Sequence, residues 1–398
     1  MANSPPPYDN ITGISRAAMK DNAQITLAEY DGNARPGEVV VDQTTLTVYI
    51  GNALGELTAV ATPNGITTWA TLDDKDNANG PASIALGTNA GTSQGNTAIA
   101  IGYQAGYNIQ GIESIAIGFQ AGNSGQSNQS VAIGSYAGLT TQGLTAVAIG
   151  LSTGQISQGA NAVAMGFSAG RTSQGANAVA IGVQAGNSSQ GINAVAIGNT
   201  AGRTTQGSSS VAIGSQAGFT SQGASAVAIG ETAGITTQGA SAVAIGPTAG
   251  LTSQGSSATA IGISAGRTTQ GSSGVAIGPA AGQISQGILA IAIGGYAGNN
   301  TQGTAAVAVG ASAGFTGQGA NSVAIGGAAG YTNQGANSII INATGANLNQ
   351  TTANTFTVKP VRAVTSVTFA APTSGSVPAG FSPMYYNPTT GEIIVITT

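Results

Sequence analysis

The chain has 398 residues, enough for two or three ordinary domains, but its composition differs from that of ordinary domains. Charged residues make up 6% of it, against about a quarter in typical soluble proteins, and glycine is about twice as frequent as usual. The absence of histidine and cysteine excludes Ser–His and Cys–His nucleophile pairs, zinc, haem and iron–sulfur ligation by these residues, and disulfides. With only nine Lys and Arg residues, the chain is not predicted to bind nucleic acid. No apolar run is long enough to predict a membrane-spanning helix. These features favour a structural scaffold over an enzyme.

The N-terminal flank is predicted to contain an extended arm and a small β domain. Residues 1–23 include a proline run, which favours polyproline geometry. Residues 24–80 are interpreted as a small β attachment domain, in which residues 38–41 and 46–50 form a hairpin around a polar turn. The start of the chain has neither a basic segment nor an apolar run, so no secretory signal is predicted.

An acidic stretch at residues 72–80 offers oxygen ligands of the kind that calcium prefers. The candidate ligands are Asp73, Asp74 and Asp76. Their spacing differs from that of an EF-hand loop and no glutamate follows, so a solvated loop leading into the repeats is the favoured interpretation. We therefore predict no metal site and no cofactor.

Residues 81–345 carry an internal repeat anchored on the glycine of a V-A-I-G motif. This glycine falls at Gly87 and Gly102 and then every sixteen residues from Gly118 to Gly326, and we call it position 0 of each coil. Positions −3 and −1 are aliphatic, with Thr259 as the one polar exception, and position −2 is alanine. Because large and small residues alternate, each unit is predicted to hold a strand with two apolar faces. Sixteen residues with two short strands then make one coil of a parallel β-solenoid. Sixteen such coils stacked at the usual strand spacing would form a rod about 77 Å long.

Other positions of the coil are also nearly constant. Glycines at 0, +4 and +9, as in Gly102, Gly106 and Gly111, supply the positive φ angles that sharp turns need. In the seventeenth unit Asn342 replaces the anchor glycine, which predicts a terminating coil. Position +8 is glutamine, and these amides either stack into a hydrogen-bonded ladder or satisfy the turn backbone, two alternatives that the sequence leaves equally open. The clearest members of this row are Gln110, Gln142 and Gln158.

The repeat presents two apolar ladders, one of Val and Ile at −3 and −1 and one of alanine at −2 and +3. A single chain would leave one ladder in contact with water along its whole length, a far larger apolar patch than soluble monomers carry. A homotrimer with one ladder on its axis is the simplest solution, although spacing alone does not decide which ladder that is. The residues assigned to the core of the trimer are Ile101, Ile117, Ile133, Ile149, Ile197, Val131 and Val147.

Residues 346–398 are predicted to form a β-rich C-terminal cap and trimerisation domain, since the last coil of a solenoid needs cover. Exposed aromatic and arginine side chains on the variable corners and on this cap suit contact with a glycan or a protein. The same variable residues would also be found if the fold simply placed no constraint on residue type at these outward corners. The candidate contact residues are Tyr107, Arg171, Arg203, Arg267, Tyr385 and Tyr386.

The sequence also bears on two other classes of function, a paired-carboxylate enzyme and an ice-binding protein. Glu113 and Glu231, the only carboxylates of the repeats, are about seven coils or more than about 30 Å apart, so no paired-carboxylate enzyme is predicted. A row of threonines at +6 resembles an ice-binding array, but Ile156 and Ile284 interrupt it. The members of the row are Thr140, Thr172, Thr204, Thr220 and Thr236.

The V-A-I-G units resemble the head repeats of trimeric autotransporter adhesins (YadA-like), which form left-handed parallel β-roll trimers. The fuller pattern at residues 98–111, AIAIGYQAGYNIQG, is similar to repeat arrays in fibre proteins of bacteriophages and large algal or amoebal viruses. Residues 36–52 and 381–398 resemble an N-terminal tail-fibre module and the segment that closes many viral fibres. The resemblance implies a left-handed homotrimer on a virion surface, or otherwise extracellular. Its N-terminal end would dock on a particle attachment protein and its C-terminal end would face outward.

The expected function is therefore that of a structural fibre or adhesin. It would be a rigid trimeric rod that contacts a host glycan or protein receptor. The alternatives are a self-assembling extracellular filament, joined through the N-terminal arm, and an ice-binding solenoid.

Overall fold

The computed structural model describes residues 83–361 and, outside them, residue 389 and the backbone of five strands: Val39–Asp42, Thr47–Gly51, Leu57–Ala61, Met384–Tyr386 and Glu392–Val395. The chain forms two compact units, residues 1–77 with 81–84 and residues 78–80 with 85–398. The predicted arm and the acidic residues Asp73, Asp74 and Asp76 lie outside the described residues. The described part of the chain is all-β and contains no helix that could cross a membrane.

In the first unit the described strands form an antiparallel sheet in chain order. Val39–Asp42 pairs with Thr47–Gly51, which confirms the predicted hairpin to within one residue at each strand. Leu57–Ala61 adds a third strand beside Thr47–Gly51, with a shift of register between Val48 and Tyr49.

The second unit is a parallel β-solenoid of about seventeen coils, as the repeat predicts. Each complete coil contributes one strand to each of two sheets, and neighbouring coils pair in register. Val195 lies opposite Val211 in one sheet, and Thr205 lies opposite Ser221 in the other. We call these the aliphatic sheet, after its V-A-I strands, and the glutamine sheet, after the residue that ends each of its strands.

The strands of the two sheets alternate along the chain, after a short strand at Ile84–Leu86. Those of the aliphatic sheet are Ile99–Ile101, Ile115–Ile117, Val131–Ile133, Val147–Ile149, Val163–Met165, Val179–Ile181, Val195–Ile197, Val211–Ile213, Val227–Ile229, Val243–Ile245, Thr259–Ile261, Val275–Ile277, Ile291–Ile293, Val307–Val309, Val323–Ile325, Ile339–Asn342 and Phe356–Lys359. Those of the glutamine sheet are Asn108–Gln110, Ser124–Gln126, Thr140–Gln142, Ile156–Gln158, Thr172–Gln174, Ser188–Gln190, Thr205–Gln206, Ser221–Gln222, Thr237–Gln238, Ser253–Gln254, Thr269–Gln270, Ile284–Gln286, Asn300–Gln302 and Thr316–Gln318.

The core of the solenoid consists of small side chains. The alanines at −2 and +3 are fully buried, as Ala196 and Ala201 illustrate. Position +12 holds a buried alanine or serine in nearly every coil, and Ser210 there donates its hydroxyl to the Gly207 carbonyl at 2.6 Å. A coil of only sixteen residues encloses a narrow interior, and these small side chains occupy it together with the buried glutamines at +8.

The three turn glycines of a coil serve different purposes. Gly102 and Gly106 have φ angles of 129° and 55°, in the region that favours glycine. Gly111 does not have a positive φ, but a Cβ atom there would collide with the backbone of Ser127 in the next coil. The glycine at +9 is therefore favoured by the close approach of successive coils rather than by the turn itself, and Ser127 is the one residue with a Cβ atom at this position.

Residues other than glycine also adopt left-handed backbone in every coil, a feature that the sequence pattern does not predict. Tyr136 at +2 and Thr145 at +11 have φ angles of 59° and 54°. Their N–H groups donate to the carbonyls of Phe119 and Asn128 in the preceding coil, at 2.8 and 3.1 Å. These hydrogen bonds between coils offset a conformational cost of about 1–2 kcal/mol per residue.

At its C-terminal end the aliphatic sheet continues beyond Asn342. The Asn342 side chain donates to the Gly327 and Ala346 carbonyls, both at 2.7 Å, and so closes a wider loop than glycine closes elsewhere. After this loop Phe356–Lys359 pairs in parallel with Ile339–Asn342. The regular sixteen-residue coils therefore end at the Asn342 unit, as predicted, and the aliphatic sheet gains one further parallel strand after the longer loop.

An antiparallel hairpin follows this last parallel strand. Glu392–Val395 pairs with Phe356–Lys359 on one side and with Met384–Tyr386 on the other. The edge of Phe356–Lys359 is thereby covered, which is one way in which proteins prevent exposed sheet edges from pairing with other chains.

Candidate interaction surfaces

The largest apolar surface of the solenoid is the outer face of the aliphatic sheet. Side chains at −2 point inward, so those at −3 and −1 point outward, in two parallel columns. Ala196 is 0% exposed, whereas its neighbour Ile197 is 36% exposed. We call the outward side chains at −3 and −1 from Ile99 to Ile325 the aliphatic ribbon. It contains one polar residue, Thr259, and no charge.

The ribbon includes every residue that the sequence assigned to the trimer core. In the single chain these side chains are half-buried or exposed, while the alanine ladder lies inside. Within one chain, the alanines therefore form the core and the bulky ladder lies on the outside. The residues concerned are Ile101, Ile117, Ile133, Ile149, Ile197, Val131 and Val147.

The glutamines at +8 are buried and combine the two roles that the sequence left open. The Nε2 atom of Gln238 donates to the Val227 carbonyl at 2.7 Å and to the Oε1 atom of Gln254 at 3.1 Å. The Oε1 atom of Gln238 in turn accepts from Gln222 at 3.1 Å. The same amide therefore satisfies the backbone and links neighbouring coils.

The chain of glutamine-to-glutamine hydrogen bonds is interrupted at the three glutamines that the sequence singled out. The Nε2 atoms of Gln110, Gln142 and Gln158 donate to backbone carbonyls at 2.7–2.9 Å, and that of Gln158 also donates to Gln174 at 3.1 Å. Within the described residues, the buried Oε1 atoms of Gln110, Gln142 and Gln158 accept no hydrogen bond.

The buried amide predicts a pH-dependent variant. In Gln238→Glu, burial should raise the pKa of the introduced carboxyl above its unfolded value of about 4.3. The protonated group can still donate to the Val227 carbonyl, so the variant should be most stable below about pH 4. Its free energy of unfolding should then fall by about 1.4 kcal/mol per pH unit until the folded-state pKa is reached.

Chemical denaturation at a series of pH values checks this prediction. Thr237→Glu, at the exposed neighbouring position, is the matched control and should show no such slope. Equal pH dependence in both variants would mean that position +8 is accessible to water.

Aromatic side chains lie in rows along two parts of the solenoid. Tyr103 stacks on Phe119 with ring centroids 5.2 Å apart, and Phe119 meets Tyr136 edge-on at the same distance. Near the other end Phe315 stacks on Tyr331 at 4.9 Å. Such pairs stabilise the stacking of coils by about 0.5–1.5 kcal/mol each beyond simple burial.

The structure places the predicted contact residues in different locations. Tyr107 is exposed at +5, the same row that holds Arg171, Arg203 and Arg267. Tyr385 and Tyr386 lie in the strand Met384–Tyr386 of the C-terminal hairpin.

A polar surface covers the outer side of the glutamine sheet. Positions +6 and +7 carry hydroxyl side chains without interruption from Thr172 to Thr269. We call these side chains, together with the arginines at +5 beside them, the hydroxyl strip. The row predicted from the sequence is the +6 row alone, and Ile156 and Ile284, which interrupt that row, lie outside this run. Writing the chain in rows of sixteen residues would have revealed both columns.

The remaining features suggest no further chemistry. Glu113 at +11 accepts from Gln129 Nε2 at 2.9 Å, and Glu231 lies at +1, another position of the coil. Among the described residues no three His, Cys, Asp or Glu side chains come together as a metal site. A shallow groove of about 420 Å³, lined in part by Ile109, Asn128 and Leu144, carries no charged group.

Fold and surface define the class of this protein: it is a parallel β-solenoid repeat protein. In comparisons with known proteins, no family model, no curated protein and no solved structure matches the chain.

Proposed function

We propose that the chain is the subunit of a homotrimeric fibre, in which three left-handed solenoids run in parallel with their aliphatic ribbons towards a common axis. The observation that carries this proposal is the ribbon itself. It extends over about fifteen coils, or about 70 Å at strand spacing. A charge-free aliphatic surface of that length far exceeds the patches that soluble monomers expose.

A second copy of the same chain is the partner that fits the ribbon best. Rotation about an axis parallel to the solenoid brings equivalent coils to the same level, so each interface is built from the same two columns of aliphatic side chains. Thr259 then meets its own copies, and no side chain of the ribbon brings a charge into the interface. A partner without the sixteen-residue repeat would lack this match along the length.

The fibre would act as a rigid spacer and adhesin. Coil-to-coil hydrogen bonds and a packed alanine core support stiffness, and three copies multiply weak contacts with a host surface. The resemblance to viral fibre repeats favours a place on a virion or tail, with the N-terminal residues bound to the particle. Receptor contact through a glycan or a protein belongs to the same proposal.

Analytical ultracentrifugation combined with electron microscopy of the purified protein tests this function. The expected result is a single species of three times the chain mass of 38.2 kDa, seen as rods of uniform length. A monomer would contradict the proposal, and unlimited polymers would favour the filament alternative.

A further inference from the structure

We infer that the hydroxyl strip is a binding surface for an acidic polysaccharide that lies along the solenoid. The strip comprises seven consecutive coils with a hydroxyl side chain at both +6 and +7 and arginine at +5 in three of them. At the usual strand spacing it is about 29 Å long. Its hydroxyl residues are Thr172, Ser173, Ser188, Ser189, Thr204, Thr205, Thr220, Ser221, Thr236, Thr237, Thr252, Ser253, Thr268 and Thr269.

These hydroxyl groups are free to bind a ligand. All of them are exposed or half-buried, and none forms a hydrogen bond with any described residue. This contrasts with Thr140, outside the strip, whose hydroxyl donates to the Gln155 carbonyl at 3.3 Å. A regular field of uncommitted donors and acceptors suits a ligand that is itself rich in hydroxyl groups.

All arginines of the repeats belong to the strip. Arg171, Arg203 and Arg267 are the only basic residues between 83 and 358, and all three are at +5. The guanidinium of Arg203 lies 5.2 Å from the ring centroid of Phe219, and that of Arg171 donates to Gln155 Oε1 at 2.9 Å. Arg267 has no hydrogen bond or ion pair within the described part of the chain. The row therefore offers cations and apolar surface next to the hydroxyl columns.

The spacing of the arginines along the strip favours one class of acidic ligand. Three cations over about 29 Å are far fewer than the phosphates of a DNA duplex, which carries one charge per about 1.7 Å. An acidic polysaccharide has widely spaced carboxylates or sulfates, which arginine recognises through paired hydrogen bonds. Its hydroxyl groups and sugar faces match the threonines and the apolar side chains at Phe219, Ile235 and Leu251. Ice is disfavoured because these bulky side chains stand beside the threonine columns.

The backbone also sets the strip apart. In the five coils from Thr204 to Thr269, the strand of the glutamine sheet shortens to two residues, and position +7 leaves the left-handed region that it occupies at Ser173 and Ser189. In the first four of these coils the +7 N–H donates to the +6 carbonyl of the next coil, as from Thr205 to Thr220 at 2.9 Å. The last five coils of the strip thus form one uniform surface.

The experiment measures binding of the full chain to alginate oligomers (carboxylate), heparin oligosaccharides (sulfate) and neutral dextran by isothermal titration calorimetry. We expect binding to at least one acidic polysaccharide and none to dextran. Arg203→Gln combined with Arg267→Gln should weaken it about tenfold or more, since charge-assisted hydrogen bonds are lost. Thr236→Val combined with Thr237→Val, which keeps side-chain shape, should weaken it several-fold.

Two controls make the result specific. Thr304→Glu shifts the net charge by one unit in the same direction on an exposed position outside the strip, and it should leave the affinity within about twofold. Thr140→Val combined with Thr141→Val removes an isolated hydroxyl pair and should also have no effect. Thermal melts of all variants should match the unsubstituted protein.

The inference is overturned if neither acidic polysaccharide binds, if Thr304→Glu weakens binding as much as the arginine variants, or if dextran binds equally well. Thermal hysteresis that disappears in the Thr236 and Thr237 variant would assign the strip to ice instead. The inference rests on the proposed function only for the place where the protein would meet a polysaccharide, because all residues of the strip belong to one chain. Sedimentation of the same samples separates the two: trimers that do not bind refute the strip, and monomers that bind refute the fibre.

Discussion

Ala196→Leu is expected to disrupt the solenoid around its coil. Ala196 is fully buried between the aliphatic and glutamine sheets, where alanine methyl groups and glutamine amides already fill the interior. A leucine side chain there must push the sheets apart and break the coil-to-coil hydrogen bonds on both sides. We expect a loss of about 3 kcal/mol or more in the free energy of unfolding, the upper range for overpacked cores, measured by denaturant unfolding followed by circular dichroism.

The neighbouring position supplies the matched control. Ile197→Leu changes an outward side chain of similar volume and should shift the free energy of unfolding by less than about 1.5 kcal/mol. If Ala196→Leu proved as stable as Ile197→Leu, the alanine ladder would not be the core of the chain.

Ile197→Asp is expected to prevent assembly while leaving the coil of a single chain intact. In one chain an aspartate at this outward position is solvated. In the proposed trimer three copies would be buried at one level of the axis without cationic partners, and each buried ion costs several kcal/mol. Sedimentation equilibrium should therefore show a monomer, while the β-type circular dichroism spectrum is retained.

Ser225→Asp tests whether the added charge alone causes this change. Ser225 is exposed at +11 in a left-handed conformation that aspartate tolerates, and it lies outside the ribbon. This variant should sediment like the unsubstituted protein. A trimer of Ile197→Asp, or dissociation of both variants, would contradict the ribbon as the interface.

The two substitutions concern adjacent residues with opposite functions. Position −2 lies in the interior of the chain and position −1 on its outside, because successive side chains of a strand point to opposite faces. The same alternation separates the buried Gln238 from the exposed Thr237 on the other sheet. A one-residue change of position thus decides whether a substitution alters the interior of the solenoid or its surface.

Much of the architecture could be predicted from the amino-acid sequence. The interval between anchor glycines determines the length of the coil, and parallel pairing in register follows because each coil repeats the one before. The alternation in Val195–Ile197 predicts a strand with two apolar faces. These features depend on local pattern and on regular repetition, both of which a single sequence displays.

Other features were decided only by the tertiary structure. Which apolar ladder is inside depends on how closely the two sheets approach, and that distance is set by the turns between them. The left-handed conformations of Tyr136 and Thr145 follow from hydrogen bonds to the preceding coil, which no local propensity encodes. Asn342 continues the ladder because its amide bridges a loop that closes only in three dimensions. The sequence by itself determined the period and the strands, whereas packing across the narrow interior determined which face each side chain occupies.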